Sequence, residues 1–194
     1  PVIIIGAPRS GTNILRDSIS SFKNISTWNC DEIPYIWSYG NERHPTDLFT
    51  KNMCNVKIRN YIKKQFAKIS NKNNCEFVLE KTCSNSLRVP FVDEVFPKAK
   101  FIFIYRNGID ASYSIMQRWQ SDFNLIFSLK KLKYVPKKSL MYFGIKFLKN
   151  RYYKMTKANR LKYWGPRFTD KSDILEQPIE VISSMQWAKC VELS

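Results

Sequence analysis

The chain has 194 residues, 44% hydrophobic and 25% charged, so it can bury a core and lacks the composition of a disordered segment. Its formal charge is +16, with one histidine and five cysteines, Cys30, Cys54, Cys75, Cys83 and Cys190, never in a Cys-x-x-Cys pair. A multi-histidine metal centre is thereby excluded, a zinc site or disulfide framework is argued against, and no apolar run approaches the ~20 residues of a membrane span.

Val2–Ile5 is apolar and β-branched throughout, which predicts a buried parallel strand. It enters the loop Gly6-Ala7-Pro8-Arg9-Ser10-Gly11-Thr12-Asn13, after which Ile14, Leu15, Ser18, Ile19 and Phe22 share one helical face. Ile25–Cys30 predicts a second extended stretch before Asp31-Glu32-Ile33-Pro34. Thr46 and Asp47 are expected to cap a long helix reaching about Ile69, followed by a polar turn over Ser70–Asn74. Glu76–Glu80 predicts a third strand, Ser86–Phe96 a helix closed by Pro97, and Lys100–Tyr105 the strongest strand of all. Asp110 then starts a helix running to about Gln120. Strands alternating with helices over short connections point to a parallel α/β sheet. Beyond Ser128 the pattern degrades, with breaks at Pro136 and Gly165-Pro166, until Pro178–Leu193 becomes helical in its second half.

The first loop has the spacing of a phosphate-binding loop, Gly6-x4-Gly11, without its usual ending. Thr12 and Asn13 stand where a nucleotide triphosphatase places Lys and then Ser or Thr. A tight loop entering a helix N-terminus still offers N–H groups and the positive dipole end to an anion, and Arg9 adds charge. The lysine for outer phosphates and the hydroxyl for magnesium are missing. A metal-bound triphosphate therefore fits poorly, whereas a phosphosulfate, which needs no metal, fits well.

Pro8-Arg9-Ser10-Gly11-Thr12 resembles the 5′-phosphosulfate loop of the sulfotransferases that use 3′-phosphoadenosine-5′-phosphosulfate (PAPS). A second signature agrees: Phe96-Pro97-x-Ala99-Lys100-Phe101-Ile102 leads into Arg106-Asn107-Gly108-Ile109-Asp110-x3-Ser114. In that family an Arg at the strand end and a Ser eight residues later bind the 3′-phosphate. The resemblance is closer to the Golgi and bacterial type than to the animal cytosolic type. It implies a parallel sheet flanked by helices, in the P-loop-nucleotide-kinase-like sulfotransferase fold. It implies PAPS as cosubstrate, held by Arg9, Ser10, Gly11, Thr12, Asn13, Arg106 and Ser114, with no metal. The reaction implied is in-line transfer of the sulfuryl group to a hydroxyl or amine acceptor.

Glu32 resembles the catalytic glutamate of the protein-tyrosine and Golgi-type branch; the competing readings are Asp31 as the base, or both acids as ordinary turn residues. Glu80-Lys81-Thr82 resembles the family's Glu-Lys-Thr/Ser element, in which Lys81, together with Arg9, would hydrogen-bond the bridging oxygen as charge develops there. His44 is a possible base of the type used by cytosolic relatives, but its position does not match and it reads as a surface or loop residue. The match has departures. Asn13 replaces the usual Thr or Ser, and Ile14 stands where animal cytosolic enzymes place a Trp against adenine. Ser183–Ser194 resembles the mid-domain helix before the family's last core strand, so the chain reads as truncated at its C-terminus. The resemblance covers about residues 2–120 well, 180–194 weakly and the stretch between hardly at all.

The expected organisation is a single domain over 1–194, with a core at 1–124, a basic helical insertion or flap at about 125–169 and a C-terminal helix at about 179–194. Residues 125–169 hold thirteen Lys or Arg and no acid, against nineteen basic and sixteen acidic residues elsewhere. Leu140, Tyr142, Phe143, Ile145, Phe147 and Leu148 lie in the same segment, so part of it should pack. We expect a flap beside the active-site mouth presenting Lys146, Lys149, Arg151 and Lys154 to an anionic acceptor or a membrane surface; a solvated face is the alternative. The acceptor stays open among carbohydrate, peptide, lipid and small alcohol. No specific nucleic acid is expected, because the tyrosines between the cations follow no known module. Two other classes stay open, a P-loop phosphotransferase or kinase and a non-catalytic polyanion-binding module. The chain opens at Pro1 without an initiator Met or a leader. A cytoplasmic location is expected, or the Golgi lumen or a membrane anchor if an N-terminal segment is missing.

Overall fold

A computed structural model of the chain describes residues 1–121, 131–158 and 160–194. Four parallel strands, β1 (Val2–Ile5), β2 (Ile25–Ser26), β3 (Phe77–Lys81) and β4 (Lys100–Phe103), form a sheet in the order β2-β3-β1-β4. The register sets Ile4 beside Lys81 on one side and Ile102 on the other. The carboxyl ends of β1, β3 and β4 therefore lie together, the edge at which open parallel sheets bind ligands. The architecture is the α/β fold expected from the alternating pattern.

The helices are α1 (Thr12–Ser20), α2 (Pro34–Trp37), α3 (Val56–Asn73), α4 (Val89–Val95), α5 (Gly108–Gln120), α6 (Leu140–Tyr153), α7 (Ser172–Leu175) and α8 (Ile179–Glu192). Ile3 and Ile5 enter a core with α2, α3 and α4 that is dominated by aromatic rings. Phe66 lies edge-on to Trp28 at 4.8 Å and to Trp37 at 5.8 Å, and tilts against Phe96 at 4.6 Å. A second core forms where α5 meets α8, from Ala7, Ile115, Trp119, Ile182 and Cys190. All five cysteines are free thiols.

Several expectations shift. The extended stretch at 25–30 shortens to two residues, because Thr27 onward turns away from β3. Thr46 and Asp47 cap no helix. They are buried in a loop, where Asp47 accepts from the Arg167 backbone N–H at 2.8 Å and pairs with the Arg167 guanidinium at 3.6 Å. The long helix starts instead at α3, where the Asn55 side chain accepts from Ile58 N–H at 3.0 Å, and it runs through the expected polar turn to a left-handed cap at Asn74. Helix α5 begins two residues before Asp110, capped by the Asn107 side chain.

The basic segment is helical over α6 and one π turn at Lys154–Ala158; residues 125–130 and 159 of it lie outside those described. Much of its charge is spent on the fold itself. Arg160 donates to Leu175 O at 2.6 Å, and Lys154 donates to Gln120 O and Ser121 O at the C-terminal end of α5, where the helix dipole favours a cation. Lys154 is therefore not presented outward as expected. Lys146 is also turned inward and half-buried; burial and the nearby Arg167 charge push its ammonium down to about 8. The chain returns from this segment over α8, where Gln186 donates to Trp164 O at 2.9 Å and Pro166 O at 2.8 Å and accepts from the Trp119 indole at 3.3 Å.

Trp119 is thus the keystone of the second core. Trp119→Ala should lower the unfolding free energy by about 3–5 kcal/mol, the scale of a buried aromatic deletion, as read from urea denaturation.

Candidate active site

The loop between β1 and α1 has two residues in the left-handed region, Arg9 at φ 67° and Gly11 at φ 88°. For Gly11 this conformation is inexpensive; for Arg9 it is strained, which marks a loop built for something other than stability. Gly6 is required for space, since a Cβ there would sit 2.6 Å from the Ile104 carbonyl oxygen. The result is a tight loop whose last residue, Gly11, precedes α1 with no side chain capping the first turn. The Ser10 hydroxyl is buried without a hydrogen-bond partner. An uncapped helix start and an orphaned hydroxyl in one loop are the features an anionic group satisfies.

The structure joins the two sequence signatures. Arg9 Nε donates to Ser114 Oγ at 2.8 Å across 105 residues of chain. Arg106, half-exposed just past β4, pairs loosely with Asp110 at 3.5 Å. Thr12 opens α1. Its side chain is buried, with the hydroxyl 3.7 Å from the Cys83 sulfur. Asn13 is exposed at the rim of a cleft of about 310 Å³ that also holds Arg16, Cys30 and Asp31.

Glu32 and Lys81 meet at the end of β3. Lys81 Nζ lies 2.8 Å from Glu32 Oε1, and the Cys83 backbone N–H donates to the same oxygen at 3.3 Å. Burial alone would raise the Glu32 carboxyl, but the Lys81 and Lys131 charges outweigh it and hold it well below the usual carboxylate range. Burial likewise would lower Lys81, yet the Glu32 charge keeps its ammonium above the ordinary value. Asp31 does not share this pair; it binds Lys131 at 3.1 Å. His44 lies in the loop at 41–50, hydrogen-bonded with Thr46 O at 2.9 Å, as its reading as a loop residue anticipated.

Behind this pair is a buried polar network that the sequence reading did not assign. Glu80 accepts from Thr82 Oγ1 at 2.5 Å and from Asn85 Nδ2 at 2.8 Å. Thr82 Oγ1 in turn accepts from the Ile33 N–H at 3.0 Å, the residue directly after Glu32. Asn85 Oδ1 accepts from the fully buried Arg88 at 2.9 Å. Glu80 thus orients Thr82, and Thr82 holds the backbone that carries Glu32. The available signal was the density of polar residues over Glu80–Ser86 immediately after a buried strand, unusual unless they satisfy one another.

The family model described as "Sulfotransferase family" matches residues 1–134 of the chain. No curated protein and no solved structure matches it.

Burial pushes the Glu80 carboxyl up to about 7, against the pull of the Thr82 hydroxyl and the Lys81 and Arg88 charges. Because the folded value exceeds that of the unfolded chain, Glu80 supports the fold fully below about pH 4.3 and withdraws that support as pH rises through its folded value. The wild-type protein should therefore lose on the order of 3 kcal/mol of stability between about pH 4.5 and 8 that Glu80→Gln does not lose. Urea unfolding at the two pH values measures the difference; parallel slopes in both proteins would show Glu80 ionised throughout.

Proposed function

The chain belongs to the sulfotransferase family, and from that premise we propose that it transfers the sulfuryl group of PAPS to a hydroxyl acceptor by in-line displacement, without a metal. The observation that carries this reading is the Arg9–Ser114 hydrogen bond, which joins the two segments that resemble the family's 5′-phosphosulfate and 3′-phosphate motifs. The residues present fit the cosubstrate. The Ser10 hydroxyl and the N–H groups of Gly11, Thr12 and Asn13 would hold the 5′ end, and Arg106 and Ser114 the 3′-phosphate, with Arg9 between them.

PAPS supplies the sulfuryl group and departs as adenosine 3′,5′-bisphosphate. The acceptor oxygen forms a bond to sulfur as the bond from sulfur to the bridging oxygen breaks, and the acceptor proton goes to Glu32. A carboxylate clamped to Lys81 is a poor base. When Lys81 turns to donate to the bridging oxygen, where negative charge grows, Glu32 loses its nearer counter-ion, keeps the weaker pull of Lys131, and becomes more basic. One movement of Lys81 thus stabilises the leaving group and activates the base. A cleft of about 460 Å³ elsewhere on the chain is lined by Tyr39, Tyr61, Lys68, Lys133, Lys137 and Lys138 and, among the described residues, by no carboxylate, a lining that would suit an anionic acceptor.

Adenosine 3′,5′-bisphosphate should bind without added metal, and Arg106→Ala should weaken it by about 1.5–3 kcal/mol, the scale of a charged hydrogen bond. Unchanged affinity by calorimetry would remove Arg106 from the site. Glu32→Gln should retain nucleotide affinity and lose roughly 10²–10⁴-fold in turnover of a PAPS-dependent transfer assay. Near-normal turnover would pass the role to Asp31 or to the acceptor itself.

A further inference from the structure

Helix α6 is inside out. Its inward face carries Phe143, edge-on to Tyr35 at 4.7 Å, the half-buried Lys146, and Asn150, which exchanges two 3.0 Å hydrogen bonds with the Tyr163 backbone. Met141, Ile145, Leu148, Tyr152 and Met155 recur at spacings of four, three, four and three residues, which places them on one stripe of the helix and its π turn. All five are between 48% and 82% exposed. A surface helix ordinarily buries its apolar stripe and turns its polar side to water, so this stripe is made for a partner.

The charge around it decides which partner. Lys149 and Arg151 flank the stripe, Lys137 and Lys138 lie in the turn before it, and residues 125–169 contain no acid at all. A second copy of the chain would bring two such segments together and repel. An anionic bilayer surface takes both components, the apolar side chains entering the headgroup boundary and the cations meeting lipid phosphates and carboxylates. At 14 residues α6 is too short to cross, and among the described residues no helix is long and apolar enough to do so. We propose that α6 lies flat in the interface of an anionic membrane, with Met141, Ile145, Leu148, Tyr152 and Met155 inserted. Phe143 of the same helix packs against Tyr35, three residues after Glu32, so the docked surface would lie beside the site that carries Glu32 and Lys81.

Co-flotation of the whole chain with vesicles tests this. Vesicles of phosphatidylcholine with about a third phosphatidylserine should carry the protein up the gradient, and pure phosphatidylcholine should carry at least about tenfold less. Met141→Ser/Ile145→Ser/Leu148→Ser, folded by circular dichroism because its sites are exposed, should lose at least about tenfold in partitioning to the anionic vesicles. Lys133→Gln/Lys137→Gln/Lys149→Gln should lose a similar amount. Failure of the wild type to float, or flotation of the serine variant at the wild-type level, overturns the proposal. So does a wild-type dimer in light scattering that the serine variant reduces to a monomer without any vesicle binding, since the stripe would then be an interface between copies.

Discussion

Lys81 has 2% of its side chain exposed, and an ammonium so deep in a protein stays charged only beside a counter-ion. Glu32 is that counter-ion, 49 residues earlier in the chain. The pair fixes the loop after β2 against the end of β3, and Thr82 repeats the attachment one residue on by accepting from Ile33 N–H. Removing either charge would strand the other, so the loop can leave β3 only at a cost of about 3–5 kcal/mol. The same constraint places Glu32 at the carboxyl edge of the sheet, where the loop from Gly6 to Gly11 begins.

That edge is assembled from segments far apart in sequence. Parallel strands force each connection to return over a face of the sheet, so β1, β3 and β4 all finish at one end with their following loops side by side. Gly6, Lys81 and Arg106 each follow or end one of these strands. The Arg9–Ser114 hydrogen bond then closes the first loop onto α5, and the packing of α5 on α8 makes that helix rigid. Strain at Arg9 and an orphaned hydroxyl at Ser10 are tolerated because the surrounding sheet and helices over-determine the loop.

The basic segment behaves differently from the core. Some of its cations hold the chain, Lys131, Lys154, Arg160 and Arg167 among them, and others lie on the outer side of α6 and in the turn before it. Asp47 explains part of that division. It is a buried carboxylate that needs a partner, and Arg167 supplies one from 120 residues away, with Lys146 drawn toward the same place. The apolar stripe of α6 is left outward because its inward side is committed to Tyr35, Asp47, Arg167 and Tyr163.

The strands, the phosphate-binding spacing and the helices α1, α3, α4, α5 and α8 were legible in the sequence, because apolar periodicity, glycine placement and family motifs are local properties of the chain. Glu32, Lys81, Arg106 and Ser114 could be singled out as candidates for the same reason. What the sequence could not supply was anything that depends on a partner distant in the chain. Thr46 and Asp47 looked like helix caps because cap chemistry and burial with a remote arginine use the same residue types. That the Thr12 hydroxyl lies against the Cys83 sulfur, 71 residues away, could not be read from the chain. Which side of α6 faces the protein depends on what competes for burial, and only the fold brings those competitors together. Local pattern determined the elements and the kinds of group at the site; tertiary contacts decided how those groups are paired, since a charge or hydroxyl out of water must bond to whatever the fold places beside it.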